Sequence, residues 1–182
     1  VLFRSVRVAD PTSGMRMFSK NMIEEFAKKG QLVGAMNSKT IWEVWNYNKL
    51  DYGDRYCSGL LFWYHNCPVR QVCARMWDWS LEPTASLYHT QNALEPLHAQ
   101  FDYLKNMVSV CNDYYRSFKN YKVKADVYDL NSKKVFSYSQ RIDIGEDEVL
   151  NDLFKIDFPS DITPVHFIRL GLSDEKGKEV AS

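Results

Sequence analysis

Hydrophobic residues recur at helical spacing in the first half of this chain and alternate in the second. From Phe18 to Lys29 the apolar positions Phe18, Met22, Ile23 and Phe26 predict a helix, with Ser19 as a capping oxygen and Gly30 as its stop. Leu32, Val33, Met36, Thr40, Ile41, Val44 and Trp45 continue the three-four spacing through Tyr47 and predict a second helix, weakened at Gly34. After a loop at Asp51–Asp54, the near-continuous apolar run Gly59–Tyr64 has the length of a strand buried on both faces, as in a parallel sheet. Residues 70–79 have no clean period. Pro83 then opens a helix carried by Ala85, Leu87, Tyr88, Gln91 and Leu94 until Pro96.

At Pro96 the period changes to two. Leu97–Tyr103, Met107–Cys111, Val123–Leu130, Val135–Ile144, Val149–Phe158 and Val165–Leu172 are strand candidates, with turns at Asn131–Lys133, Gly145–Asp147, Pro159–Asp161 and Asp174–Gly177. Short strands at this spacing with no helix between them predict an antiparallel β-sandwich. The chain thus divides into an α/β piece at residues 1–95 and an all-β domain at residues 96–182. The first piece offers one strand, too little to bury its helices, and the second ends just after a turn that leads toward a further strand. The expectation is a piece of a longer chain, an incomplete α/β unit followed by a sandwich without its last strand.

Composition narrows the class. With 45% hydrophobic and 25% charged residues the chain reads as globular, and no apolar run reaches the length of a membrane helix. Lys plus Arg and Asp plus Glu both number 23, so no net field draws it to nucleic acid or an anionic membrane. The chain starts at Val1 with neither Met nor a signal sequence, which suits the mature or internal part of a longer product. Cys57, Cys67, Cys73 and Cys111 lack the spacing of a zinc site and are too few for a disulfide scaffold, so they read as structural.

Local chemistry gives no complete catalytic set. His65 beside Cys67 and Cys73 is too close in sequence to build a nucleophile pair, and His65, His89 and His98 lack the paired spacing of a helical metal motif. No metal or cofactor is expected. His89 reads as a solvated helix residue, and His98 as a strand residue or one satisfied by hydrogen bonds at the domain junction. Glu24 and Glu25 share a charged face with Lys28 and Lys29, and Glu43, between Trp42 and Val44, reads as exposed. There is no glycine-rich phosphate loop and no serine elbow. The window "GLLFWYHNCPVRQVCARMWDWS" at residues 59–80 is different: Trp63, Tyr64, His65 and Asn66 follow a buried strand, where α/β barrels keep their sites. Indole faces, an imidazole and an amide suit sugar rings, which stack through C–H faces and hydrogen-bond through hydroxyls. Packing in a core accounts for the tryptophans equally well.

The succession "SGLLFWYHNCP" followed by "MWDWSLEPTASLYHTQNALEPLHAQFDY" resembles the end of the catalytic barrel and the next β domain of glycoside hydrolase family 2, in its exo-β-glucosaminidase and β-mannosidase-like branch. The likeness runs from about residue 17 to 175, and "EPLH" at Glu95–His98 and "GLLFWYHN" are its most specific pieces. It implies the last portion of a (β/α)8 barrel followed by an immunoglobulin-like sandwich. It makes Gly59–Tyr64 the eighth strand, Trp63 part of the sugar platform with a cis bond to Tyr64, and His65 and Asn66 the rim of the pocket. Asp78 and Trp79 match the loop that follows, Trp79 being a further candidate substrate contact. Enzymes of this family use two glutamates about 5–5.5 Å apart, and the resemblance puts both before Val1; residues 1–16 hold no glutamate. It therefore implies a parent hydrolase acting on terminal β-linked glucosaminide or mannoside, with the upstream barrel and N-terminal domains as partners and a secreted or periplasmic setting. The piece alone is expected to be inactive. A noncatalytic carbohydrate-binding or structural sandwich is the alternative, for which exposed coplanar aromatics among Tyr114, Tyr115, Phe118 and Tyr121 would speak.

Overall fold

The computed structural model describes residues 20–50, 58–62, 65–66, 68–69 and 75–181. A helix α1 (Lys20–Asn48) is followed by a short helix α2 (Ala85–Ala93) and seven antiparallel strands. These are β1 (Leu97–Asp102), β2 (Met107–Asn112), β3 (Phe118–Asp129), β4 (Lys134–Ile144), β5 (Glu148–Lys155), β6 (His166–Ser173) and β7 (Glu179–Ala181). They form two sheets, in the orders β1-β2-β5 and β4-β3-β6-β7. All six strand candidates are present, and the turn at Asp174–Gly177 leads into β7, which pairs with β6.

The two sheets face each other through alternate residues. Leu97, Ala99 and Phe101 of β1, Val108 and Val110 of β2, and Val123, Ala125 and Val127 of β3 enter one core with Ile144, Ile156 and Leu172. Period-two alternation makes this inevitable once one face of each strand is apolar. Tyr121 packs against the core, Phe118 lies within it, and their rings meet at 61°. Tyr114 meets Phe118 at 67°, so these aromatics interlock edge to face and form no coplanar platform. Only Tyr115 of the four stands largely in solvent.

Three expectations are corrected: one helix replaces two, the expected strand is unpaired, and Glu43 is buried. A single helix runs through Gly30 and Gly34, because a glycine inside a helix costs only about 1 kcal/mol against alanine and no proline interrupts the hydrogen bonding. Residues 58–62 carry no sheet pairing, so the expected strand is absent over its described part, Gly59–Phe62. A strand needs neighbours for its backbone groups, and no described segment lies beside it as one. Trp63 and Tyr64, the loop Asp51–Asp54, and Cys57, Cys67 and Cys73 lie outside the described residues.

The outer face of β1 is polar yet buried. His98 and Gln100 alternate with the core residues, and α1 lies over them. Glu43, expected in solvent, is buried here: its Oε1 sits 3.0 Å from His98 Nε2, its carbonyl accepts from Gln100 Nε2 at 3.0 Å, and Lys39 approaches at 3.6 Å. Further along α1, Tyr47 donates to Asp152 at 2.9 Å and Lys105 contacts both. Lys49, just past the helix, donates to Cys111 Sγ at 3.0 Å and contacts Asp113. Helix and sandwich thus share a polar seam. The outward side of α1 carries the opposite pattern, with Leu32, Val33, Met36 and Val44 exposed while Ala35, Ser38 and Asn46 are buried.

Candidate functional site

The aromatic window is organised around backbone pairing rather than a sheet. Trp77 donates its N–H to the His65 carbonyl at 3.1 Å, and its backbone bridges Asn66 on one side and Pro83 on the other. Thr84 closes the loop: its N–H reaches the Met76 carbonyl at 2.9 Å, and its hydroxyl bonds to the Arg75 carbonyl. The same hydroxyl accepts from Ser86 N–H at 3.2 Å and so caps α2. Gln31 of α1 accepts the Ala85 N–H at 2.9 Å, and Asn46 donates to the Ala93 carbonyl at 3.0 Å, which ties α2 to α1 at both ends.

Between Trp77 and Thr84 the chain makes a turn that the sandwich repeats twice. Asp78 Oδ1 accepts the N–H groups of Ser80 and Glu82, Asp78 N–H donates to the Glu82 carbonyl, and Leu81 N–H donates to the Asp78 carbonyl. Asp129 does the same with Asn131, Lys133 and Ser132, and Asp174 with Lys176, Lys178 and Gly177. The fourth residue is left-handed in each, with φ of 64° at Leu81, 60° at Ser132 and 82° at Gly177. The Ser80 hydroxyl adds a 2.8 Å bond, and with the N–H groups it holds the Asp78 carboxyl below its usual range. Glycine or a small polar residue suits the left-handed position, and leucine does not. Strain is therefore held in the loop that presents Trp79, whose side chain is substantially exposed.

A ring chain connects this loop to α1. Trp42 stacks on Phe62 at 5.4 Å and 21°, Phe62 meets His65 at 6.4 Å, and His65 lies 6.4 Å from Trp77. His65 and Asn66, both exposed, are thus brought together with Trp77, and Trp79 follows on the neighbouring turn. Trp63 lies outside the described residues. Trp42, Phe62 and Trp77 were not singled out as site residues, and no local pattern in the sequence joins Trp42 of α1 to Phe62. The surface offers an imidazole, an amide and indole edges, which can hydrogen-bond and stack on a neutral polyol. Among the described residues it offers no carboxylate pair and no group of metal-ligating side chains. Four buried polar atoms, Trp42 Nε1, Asn46 Oδ1, Thr90 Oγ1 and Glu95 Oε2, have no hydrogen-bond partner among the described residues. His89, on α2, has its imidazole pushed below the usual range by burial and by Lys39.

No family model matches the chain. An exo-β-D-glucosaminidase from Hypocrea jecorina is 24% identical over 159 residues, 85% of this chain and 17% of that protein. Another from Streptomyces avermitilis is 19% identical over 99% of this chain and 20% of its own length. The chain is related to the exo-β-D-glucosaminidases. It spans about a fifth of the length of these relatives. The exo-chitosanase CsxA of Amycolatopsis orientalis superposes on 87% of this chain and 19% of its own with a TM-score of 0.75 at 22% identity. A β-D-mannosidase from Dictyoglomus thermophilum does so over 89% and 19% with a TM-score of 0.65 at 20% identity. The fold, two helices leading into an antiparallel sandwich, is shared with these structures, in line with the resemblance read from "EPLH" and "GLLFWYHN".

Proposed function

We propose that this chain is a C-terminal portion of a retaining exo-β-glycosidase acting on terminal β-linked glucosaminide or mannoside. Residues 1–95 close a (β/α)8 barrel, and residues 96–182 form the immunoglobulin-like sandwich behind it. His65, Asn66 and Trp79, with Trp63, form the rim and platform of the sugar pocket; the two catalytic glutamates belong to the upstream barrel of the same parent chain. The piece alone binds no cofactor and is inactive.

The observation that carries this reading is the reversed polarity of α1. Leu32, Val33, Met36 and Val44 are exposed while Asn46 and Glu43 are buried, which leaves apolar surface on the 32–44 stretch of α1 for further polypeptide to cover. Residues 58–62 carry no sheet pairing among the described residues. The glucosaminidase relatives, about five times longer, supply the class of substrate.

The test compares this chain with one extended upstream through the whole barrel, both assayed on aryl β-glucosaminide, β-mannoside and β-galactoside. Hydrolysis by the extended chain alone is expected, and its preferred substrate names the sugar. Hydrolysis by the 182-residue chain that survives Trp63→Ala would overturn the assignment. Failure of both chains would leave the sandwich as a carbohydrate-binding or structural module.

A further inference from the structure

Two of the three aspartate turns have a place in the sheets: Asp129–Lys133 joins β3 to β4, and Asp174–Lys178 joins β6 to β7. The turn at Asp78–Glu82 joins no strands. Trp77 flanks it instead, pairing with Pro83 on one side and with Asn66 on the other, and donating its N–H to the His65 carbonyl at 3.1 Å. One atom closes the turn. Asp78 Oδ1 accepts the Ser80 N–H at 2.8 Å, the Ser80 hydroxyl at 2.8 Å and the Glu82 N–H at 3.0 Å.

The residues held at its tip are unusual for a simple chain reversal. The second position is exposed in all three turns, and it holds Leu130, Glu175 and here Trp79, which is 46% exposed. The fourth position is left-handed, and here it is Leu81, with φ of 64° and 67% of its surface exposed. A branched side chain costs free energy in this conformation, and so little burial offsets it only weakly. No strand pairing adds to the balance at this turn. Backbone strain held in place by surrounding hydrogen bonds, beside an exposed indole, is the construction of a support for a contact.

We propose that the Asp78 turn fixes the Trp79 indole against the sugar, and that Asp78 is a positioning residue of the parent enzyme's site. This rests on the reading of His65, Asn66 and Trp79 as the rim of a sugar pocket. Trp77 is bonded to the His65–Asn66 backbone and leads directly into the turn, so imidazole, amide and indole are carried by one hydrogen-bonded backbone unit. Asp78 acts through Trp79, since its Oδ1 is already taken up by three donors. A ring stacks well only at the right offset and tilt. Slackening the turn therefore weakens the hold on the sugar and leaves the bond-breaking step alone.

The test is the kinetics of the upstream-extended chain on the aryl β-glycoside it prefers, with Asp78→Ala, Asp78→Asn, Trp79→Ala and the double variant Asp78→Ala/Trp79→Ala. Asp78→Ala should raise KM about tenfold, roughly the loss of one stacked ring, with kcat changed less than about twofold. Asp78→Asn keeps an Oδ1 acceptor and should bring KM back to within about twofold of the parent value. Trp79→Ala should match Asp78→Ala, and the double variant should be no worse than Trp79→Ala alone. An aspartate with a merely structural role would add its effect to that of the indole. If Asp78→Ala fails to fold, Trp79→Ala, at an exposed position, carries the test, and an unchanged KM in it overturns the proposal. Additive effects, or a fall in kcat at constant KM, overturn it as well. Hydrolysis indifferent to both residues sinks this inference and spares the enzyme reading, whereas an unmodified extended chain that hydrolyses no aryl glycoside overturns both.

Discussion

Glu43 Oε1 and His98 Nε2 lie 3.0 Å apart, both buried, and they join helix α1 to the first strand of the sandwich across 55 residues of sequence. Removing the carboxylate leaves His98 without a partner at either ring nitrogen, since Nδ1 already lacks one. Glu43→Ala should therefore cost about 1–3 kcal/mol, seen as a lowered midpoint in urea. Glu25→Ala, whose carboxylate meets Lys28 and Lys29 on an exposed face, should change the midpoint little.

Leu81 occupies with a branched side chain the left-handed position that Gly177 fills in the equivalent turn. Leu81→Gly should relieve strain and stabilise the chain by roughly 1 kcal/mol, given that the left-handed conformation costs an ordinary residue about 1–2 kcal/mol. Thermal unfolding of the variant measures this directly. A fall in stability would mean that leucine packing outweighs the backbone term.

How much of this was legible beforehand follows from which signals are local. The strands of the sandwich were read from alternation, and the turns at Asp129 and Asp174 from Asn131, Ser132 and Gly177, because each signal lies within a few residues. The same turn at Asp78 was not read as one, since Leu81 is no turn residue. Glu43 was placed in solvent because hydrophobic spacing set the inward face of α1, yet the helix rests on the polar side of β1, and His98 and Gln100 choose a polar partner. Gly59–Tyr64 was read as a strand from its apolar run, but its described part, Gly59–Phe62, is unpaired, because pairing depends on neighbours that a local pattern does not contain. His65 and Asn66 were singled out by residue type; their connection through Trp77 depends on backbone bonds invisible in the sequence.

Asp126 should shape the acid limb of stability. Burial favours its neutral form, but Lys124 at 2.7 Å, the Ser137 hydroxyl at 2.6 Å and Lys134 at 3.3 Å outweigh that and depress its pKa. Its contribution is complete above the ordinary carboxylate value of about 3.9 and is lost as pH falls through the lower folded value. Asp126→Asn should cost about 1–2 kcal/mol at pH 7, less at high salt because both lysines are partly exposed. The two proteins should converge in urea titrations once the pH falls below the depressed value of the folded carboxyl.

Cys111 should resist alkylation in the folded chain. Burial pushes its thiol up to about 12, although Lys49 pulls the other way. At pH 8, iodoacetamide should label Cys111 at least tenfold more slowly in the native protein than in urea, measured on its own peptide by mass spectrometry. Equal rates in the two states would show that the Lys49 contact, not burial, governs the thiol.

The three aspartate turns also set an order in time. All their hydrogen bonds close within five residues, so the hairpins β3–β4 and β6–β7 can zip on the microsecond scale of local closure. The pairing of β3 with β6 must instead bring Lys122 to Ser173, and its loop entropy falls on the slower step. The four-stranded sheet is thus assembled from two preformed ribbons, and their meeting along β3, rather than the making of any turn, limits how fast that sheet closes.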